Sequence, residues 1–344
     1  MALKLRPPLP PMEALSVDEV PAGPEWQYEP KWDGFRCLVF RNGADVHLQS
    51  KSGQPLTRYF PEIVAAVGKI RPKTFVLDGE LVVPSDGAFS FDALLQRIHP
   101  AASRIARLAE ETPALLIVFD LLAGTDGRPL TQLPLDERRK QLEPFATKYL
   151  RGNPRIRVSP ATTKLTEAAK WLKRVGATLD GIIAKRRDMS HRSAERTGMV
   201  KIKNHRSADC VVGGFRYNEG QKVVGSLLLG LYDREGLLHH VGFTSTISRK
   251  DKPALTEKLE KLIALPGFTG NAPGGPSRWS TKRSAEWQPL KPKLVIEVSY
   301  DHFSGDRFRH GTTLMRWRPD KSPRQCTLDQ VKQKKANLMK LLRA

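Results

Sequence analysis

The stretch EPKWDGFR, residues 29–36, decides how the rest of the chain is read. Lys31 is followed by Asp33 and Gly34, with Arg36 five residues on. Gly34 permits a tight backbone beside a bulky ligand. Arg36 can fork onto ribose or phosphate oxygens, and Asp33 can balance the lysine, orient it or approach a metal. Together these residues make Lys31 a candidate nucleophile. An amine attacks only when neutral, and an unperturbed lysine is neutral in roughly one molecule in 2,500 at pH 7. Nearby cations or a bound metal would lower its pKa, and the sequence offers both. The plain alternative is a solvated lysine at the start of a hairpin.

Further segments extend the pattern. DGEL (78–81) follows an apolar run and places Glu80 where it can accept from a ribose hydroxyl. Phe119-Asp120 closes another apolar run, and an aromatic there can stack on a purine or fill a core. DGIIAK (180–185) offers Asp180 as a metal ligand and Lys185 as a phosphate partner. In MVKIK (199–203), Lys201 and Lys203 alternate with Val200 and Ile202, so both ammonium groups face one side of a strand. Two like charges so placed repel unless an anion lies between them. RWRPDKSP (316–323) sets Arg316, Arg318 and Lys321 around Asp320. In-line displacement needs cations on the leaving phosphate group.

The chain of 344 residues is long enough for two domains. Lys and Arg number 57 against 36 Asp and Glu, a net charge of +21 that suits a polyanionic partner. No apolar run approaches the ~18 residues of a membrane span, and the N-terminus has no apolar leader. Three scattered cysteines, Cys37, Cys210 and Cys326, argue against a disulfide framework or a four-thiolate zinc site. The expected location is the cytoplasm.

Residues 1–25 read as a Pro-rich extended lead-in, and 36–41 and 44–50 as strands of a hairpin joined at Asn42-Gly43. Further strands are expected at 75–83, 114–122, 181–187 and 199–203, with helices at 134–146 and 166–176. Beyond about residue 206 come short strand-like runs, one helix (253–265) and a Gly/Pro-rich loop (267–280). That texture suits a small closed barrel.

The ordered series KWDGFR, QSKSG, DGEL, VFD, DGIIAK, MVKIK and RWRPDK resembles the motifs of covalent nucleotidyltransferases, above all the stand-alone C-type bacterial ATP-dependent DNA ligases of the end-joining and repair group. The likeness spans nearly the whole chain. It implies an α+β fold: an ATP-grasp-like nucleotidyltransferase domain of antiparallel sheets and helices at 1–205, then an OB-fold β-barrel at 206–344. A hinge near 204–209 would let the barrel move between ATP and DNA.

The resemblance also implies roles. Lys31 would carry AMP taken from ATP. Glu29 would contact the adenine amino group and Phe119 stack on the ring. Arg36, Lys51 and Glu80 would hold the sugar and neighbouring phosphates, and Arg196, Lys201 and Lys203 would bind phosphate. Arg316, Arg318, Asp320 and Lys321 would assist lysine adenylylation. Asp180, with Asp33 or Glu80, would hold Mg²⁺ or another divalent cation. The substrate would be nicked double-stranded DNA, held by a monomer. Two departures stand out: Lys51 occupies a position where Arg is common, and Asp180 one where Glu is usual. An RNA ligase, an mRNA capping guanylyltransferase and a non-catalytic nucleic-acid-binding module are the competing readings.

Overall fold

The computed structural model describes residues 3–175, 179–274, 286–332 and 337–342. The chain divides into two units, Met1–Asn204 with Lys334–Ala344, and His205–Gln333.

The first unit is built on two sheets. One has five strands in the order Asp45–Ser50, Phe35–Asn42, Thr74–Val82, Leu115–Ala123 and Ile156–Val158. All neighbours are antiparallel except the last pair. Alternation sends Cys37, Val39, Leu77 and Val118 into one core, with Ile63 and Val67 of the Pro61–Gly68 helix and Leu142 of the Leu135–Tyr149 helix. Leu38, Phe40, Val76 and Leu122 point the other way, and Leu3 covers them. The expected lead-in is therefore part of the fold: its apolar residues close the second face of this sheet.

The other sheet runs Leu15–Ser16, Met199–Lys203, Gly181–Arg186 and Trp26–Pro30. Trp26–Pro30 ends one residue before Lys31, and Phe35–Asn42 begins one residue after Gly34. Lys31 to Gly34 is thus the crossover between the two sheets. A Cβ on Gly34 would meet the Leu81 carbonyl oxygen at 2.1 Å. This glycine is required by a neighbouring strand, where the sequence suggested only a ligand.

In the second unit the hydrogen-bonded path is Leu238–Thr244, Val224–Tyr232, Arg206–Tyr217, Val295–Tyr300 and Thr313–Trp317, with Gln288–Pro289 added beside Arg206–Tyr217. The long Arg206–Tyr217 strand pairs with Val295–Tyr300 through its first half and with Val224–Tyr232 through its second. A strand shared in this way bends a sheet round its core. The expected closed barrel is an open path among the described residues, its two edges meeting at one isolated bridge, Thr244 with Thr312.

Several elements differ from the sequence expectation. The helix expected at 253–265 is Lys252–Glu260, since the residue before Pro266 is steered from helical geometry and Ile263 bridges to Leu290. The helices Pro61–Gly68, Phe91–Gln96 and Ala102–Glu111 were not expected. Part of the 267–280 loop lies outside the described residues. The second domain was expected to run to the C-terminus, but the final residues cluster with the first unit. Leu338 is buried with Trp32, Val82 and Ile117, and its amide donates to the Gly87 carbonyl at 2.7 Å. An apolar LMKLL run would be exposed if it stayed with a basic tail.

Candidate functional site

Strand pairing brings Lys31 to Asp180. The Lys31 amide donates to the Gly181 carbonyl at 2.9 Å, and its ammonium is ion-paired with Asp180. Burial works against the ammonium. The Asp180 carboxylate, with Glu80 and Asp33 behind it, outweighs burial and holds the Lys31 pKa above its ordinary value. This corrects the expectation that cations hold the amine down: the groups facing it are acids. A carboxylate oxygen of Asp33 and one of Asp180 lie within 4.8 Å of each other. Carboxylate oxygens are the hard donors that Mg²⁺ takes.

Lys31 stands on the wall of a cavity of about 200 Å³ that also exposes Glu29, Arg36, Lys51, Glu80, Phe119 and Lys201. At one end, Lys185 donates to Glu29 at 2.8 Å, and Gln27 donates to the other carboxylate oxygen at 2.8 Å. Glu29 is only 2% exposed, so this carboxylate is held in one orientation. Phe119 carries the Lys185 ammonium 4.4 Å and the Arg36 guanidinium 4.5 Å from its ring centre. Lys185 is thus engaged by Glu29 and the Phe119 ring. Arg36 is fixed by a bidentate pair with Asp78 at 2.5 and 2.6 Å. Glu80 stands opposite Arg36 in strand register. Burial pushes the Glu80 carboxyl up to about 7, against the pull of Arg36 and Lys31.

At the other end, Lys201 lines the cavity from the Met199–Lys203 strand. Burial and then the nearby Lys31 and Lys203 charges lower its pKa. Lys203 lies two residues along the same strand face but outside the cavity wall, as do Asp33, Asp180 and Arg196. Arg196 is 68% exposed and Lys51 60% exposed, and both pair with Glu13, at 3.2 and 3.3 Å. Glu13 reaches them because its amide donates to the Glu195 carbonyl, which docks the lead-in beside the cavity.

The C-terminal cations belong to the second unit. They do not ring Asp320 as their sequence order suggested. Arg316 donates to Glu297 at 2.7 Å. Arg318 donates to Asp209 and to Asp320, each at 2.9 Å, and Lys321 also pairs with Asp209.

Sequence reasoning missed Met12, Glu13 and Met199 on the cavity wall, Asp78 beneath Arg36, and Asp209 and Glu297 beneath the C-terminal cations. Of these, Asp78 carried a visible signal, since it stands in DGEL beside Glu80. The others depend on long-range register.

The sequence matches the model of the ATP dependent DNA ligase domain over residues 11–203 and that of the ATP dependent DNA ligase C terminal region over 220–321. DNA ligase C2 of Mycolicibacterium smegmatis is 44% identical over 347 residues, covering 96% of this chain and 96% of that protein. The multifunctional non-homologous end joining DNA repair protein LigD of Mycobacterium tuberculosis is 30% identical over 306 residues, covering 87% of this chain and 37% of LigD. A solved Lig E DNA ligase matches 89% of this chain and 100% of its own at TM-score 0.51 and 16% identity, a likeness of fold. These matches extend over the cavity residues and the C-terminal cations alike, and the chain belongs to the ATP-dependent DNA ligase family.

Proposed function

We propose that this chain is a DNA ligase that takes AMP from ATP onto Lys31, passes it to the 5′-phosphate of a nick in duplex DNA, and joins that phosphate to the 3′-hydroxyl. The observation that carries the reading is one cavity in which the Lys31 amine, the buried Glu29 carboxylate and the Phe119 ring share a wall. Glu29 accepts from the adenine amino group, Phe119 stacks on the ring, and Glu80 accepts from the ribose. Arg36, Lys51, Arg196, Lys201 and Lys203 take phosphate and sugar oxygens.

In the first step the Lys31 Nζ–P bond forms as the bond from the α-phosphorus to its bridging oxygen breaks. The Lys31 ammonium first gives one proton to solvent; pyrophosphate then leaves with the electron pair, and the attacking nitrogen gives its second proton to solvent. Arg316, Arg318 and Lys321 neutralise the departing pyrophosphate, with Asp320 pairing Arg318. The nick 5′-phosphate then takes AMP from Lys31, and the 3′-hydroxyl displaces AMP. Asp180, with Asp33 or Glu80, would hold a divalent ion, best Mg²⁺, which would add charge neutralisation at the phosphates. The protein acts as a monomer in DNA repair, and its +21 charge favours phosphate contacts. Among the described residues, no helix is long and apolar enough to cross a membrane.

The test is labelling with ATP or GTP followed by sealing of nicked DNA or RNA. ATP-dependent labelling lost in Lys31→Ala, with DNA nicks sealed, is the expected result. Labelling that survives in Lys31→Ala moves the nucleophile elsewhere. Preference for GTP or for RNA nicks turns the reading toward capping or RNA ligation.

A further inference from the structure

The second unit places three residues in one register row across three strands. Asp209 stands opposite Glu297, and Glu297 stands opposite Arg316. Two neighbouring carboxylates repel unless cations lie on them. Here three cations do: Arg316 on Glu297, and Arg318 and Lys321 on Asp209.

Asp209 is the centre of this arrangement. It uses one carboxylate oxygen for Arg318 and the other for Lys321. The two cations lie on one turn, in which the Lys321 amide donates to the Arg318 carbonyl at 3.2 Å. The Asp209 side chain is 10% exposed, whereas Asp320, the other partner of Arg318, is 63% exposed. The Asp209 backbone is also clamped. Its amide donates to Gln330 Oε1 and its carbonyl accepts from Gln330 Nε2, both at 3.1 Å. A buried carboxylate on a locked strand can set the direction of two long side chains that would otherwise each sample many rotamers. The exposed Asp320 gives weaker guidance, because solvent screens it.

We infer that Asp209 is a positioning residue for the first step of ligation, holding Arg318 and Lys321 together as the pair of cations that meets the departing pyrophosphate. This rests on the reading of those two cations as the ones that serve pyrophosphate. Asp209 itself touches no reacting atom. Its influence is confined to lysine adenylylation, because that is the step in which pyrophosphate departs.

The experiment separates the steps on the full chain. Adenylylation is followed under single-turnover conditions with labelled ATP, and the later chemistry as sealing of a pre-adenylylated nick. Asp209→Asn keeps the shape and removes the charge. It should slow adenylylation by about ten- to a hundredfold, the scale of a misplaced catalytic group, while pre-adenylylated nicks are sealed at nearly the wild-type rate. Asp209→Glu should recover part of the loss. Retained sealing also reports that the variant is folded. Adenylylation by Asp209→Asn at or above the wild-type rate overturns the inference, since the carboxylate would then be idle or competing with pyrophosphate. Equal loss of both activities overturns it too, since the role would be general stability. Arg318→Ala is the control: normal adenylylation there removes the underlying reading of the cations. Slow Arg318→Ala beside normal Asp209→Asn removes only the inference about Asp209.

Discussion

Replacing Asp180 with Asn should lower the pKa of Lys31 and make the free enzyme's amine more reactive. Lys31 is held above the ordinary lysine value, and the Asp180 charge is the largest contribution in that direction. Asn keeps the size of the side chain and removes the charge. An opposite charge in direct contact shifts a pKa by about 1–3 units, each worth roughly 1.4 kcal/mol. Loss of the carboxylate favours the neutral amine, so the shift is downward. At a fixed pH well below the pKa, the neutral fraction should rise. Glu80 and Asp33 remain and also favour the ammonium, so they limit the change without reversing it. The assay is competitive labelling of Lys31 by an amine-reactive reagent across pH 7–11, read by mass spectrometry, without nucleotide or metal. The wild-type labelling curve should lie to the alkaline side of a free lysine, and that of Asp180→Asn to its acidic side relative to wild type. An unchanged or more alkaline curve in the variant refutes the ion pair as the cause. Adenylylation with ATP need not follow this gain, because Asp180 is also a proposed metal ligand.

Two further outcomes follow from the cavity. Glu80 accepts best as a carboxylate, and burial raises it to about 7, so adenosine affinity measured by calorimetry should tighten as pH rises from 6 to 8; Glu80→Gln should flatten that dependence, and a flat wild-type profile refutes the assignment. Phe119→Leu keeps an apolar side chain but loses the stacking face, and should weaken ATP binding by about 5- to 150-fold, the equivalent of 1–3 kcal/mol for base stacking; unchanged affinity would place the base elsewhere.

The sequence made the cavity legible through short-range spacing and strand period. The hairpin after Lys31, the apolar runs ending at Glu80 and Phe119, and the alternation of Lys201 with Ile202 all lie within single strands or neighbouring ones. Such patterns survive in one dimension because a strand repeats every two residues. The partners of the charged groups were not legible. Asp180 is 149 residues from Lys31, and Asp209 is 109 from Arg318. Those pairs depend on which strands become neighbours and in what register. The error over the pKa of Lys31 has this origin: the nearby sequence shows Arg36 with Glu29 and Asp33, whereas the fold adds Asp180 and Glu80. The return of Leu338 to the first unit was hidden for a different reason, because basic residues around LMKLL masked its apolar pattern.

A chain with a net charge of +21 should keep its cations apart, yet each unit of this one holds cations close to one another. It does so by setting a carboxylate on most of them: Asp180 on Lys31, Glu13 on Lys51 and Arg196, Glu297 on Arg316, and Asp209 on Arg318 and Lys321. The carboxylates offset repulsion among the cations and hold their side chains in place before any polyanion arrives. Binding a phosphate is then partly an exchange of one anion for another, so each contact contributes less to affinity than an unpaired lysine would. That moderation suits a reaction in which the same enzyme must hold ATP, release pyrophosphate, grip a nick and finally let the joined strand go. A ligase with bare cations would bind its polyanions more tightly, but tighter binding shared by substrate and product slows release without lowering the barrier to chemistry.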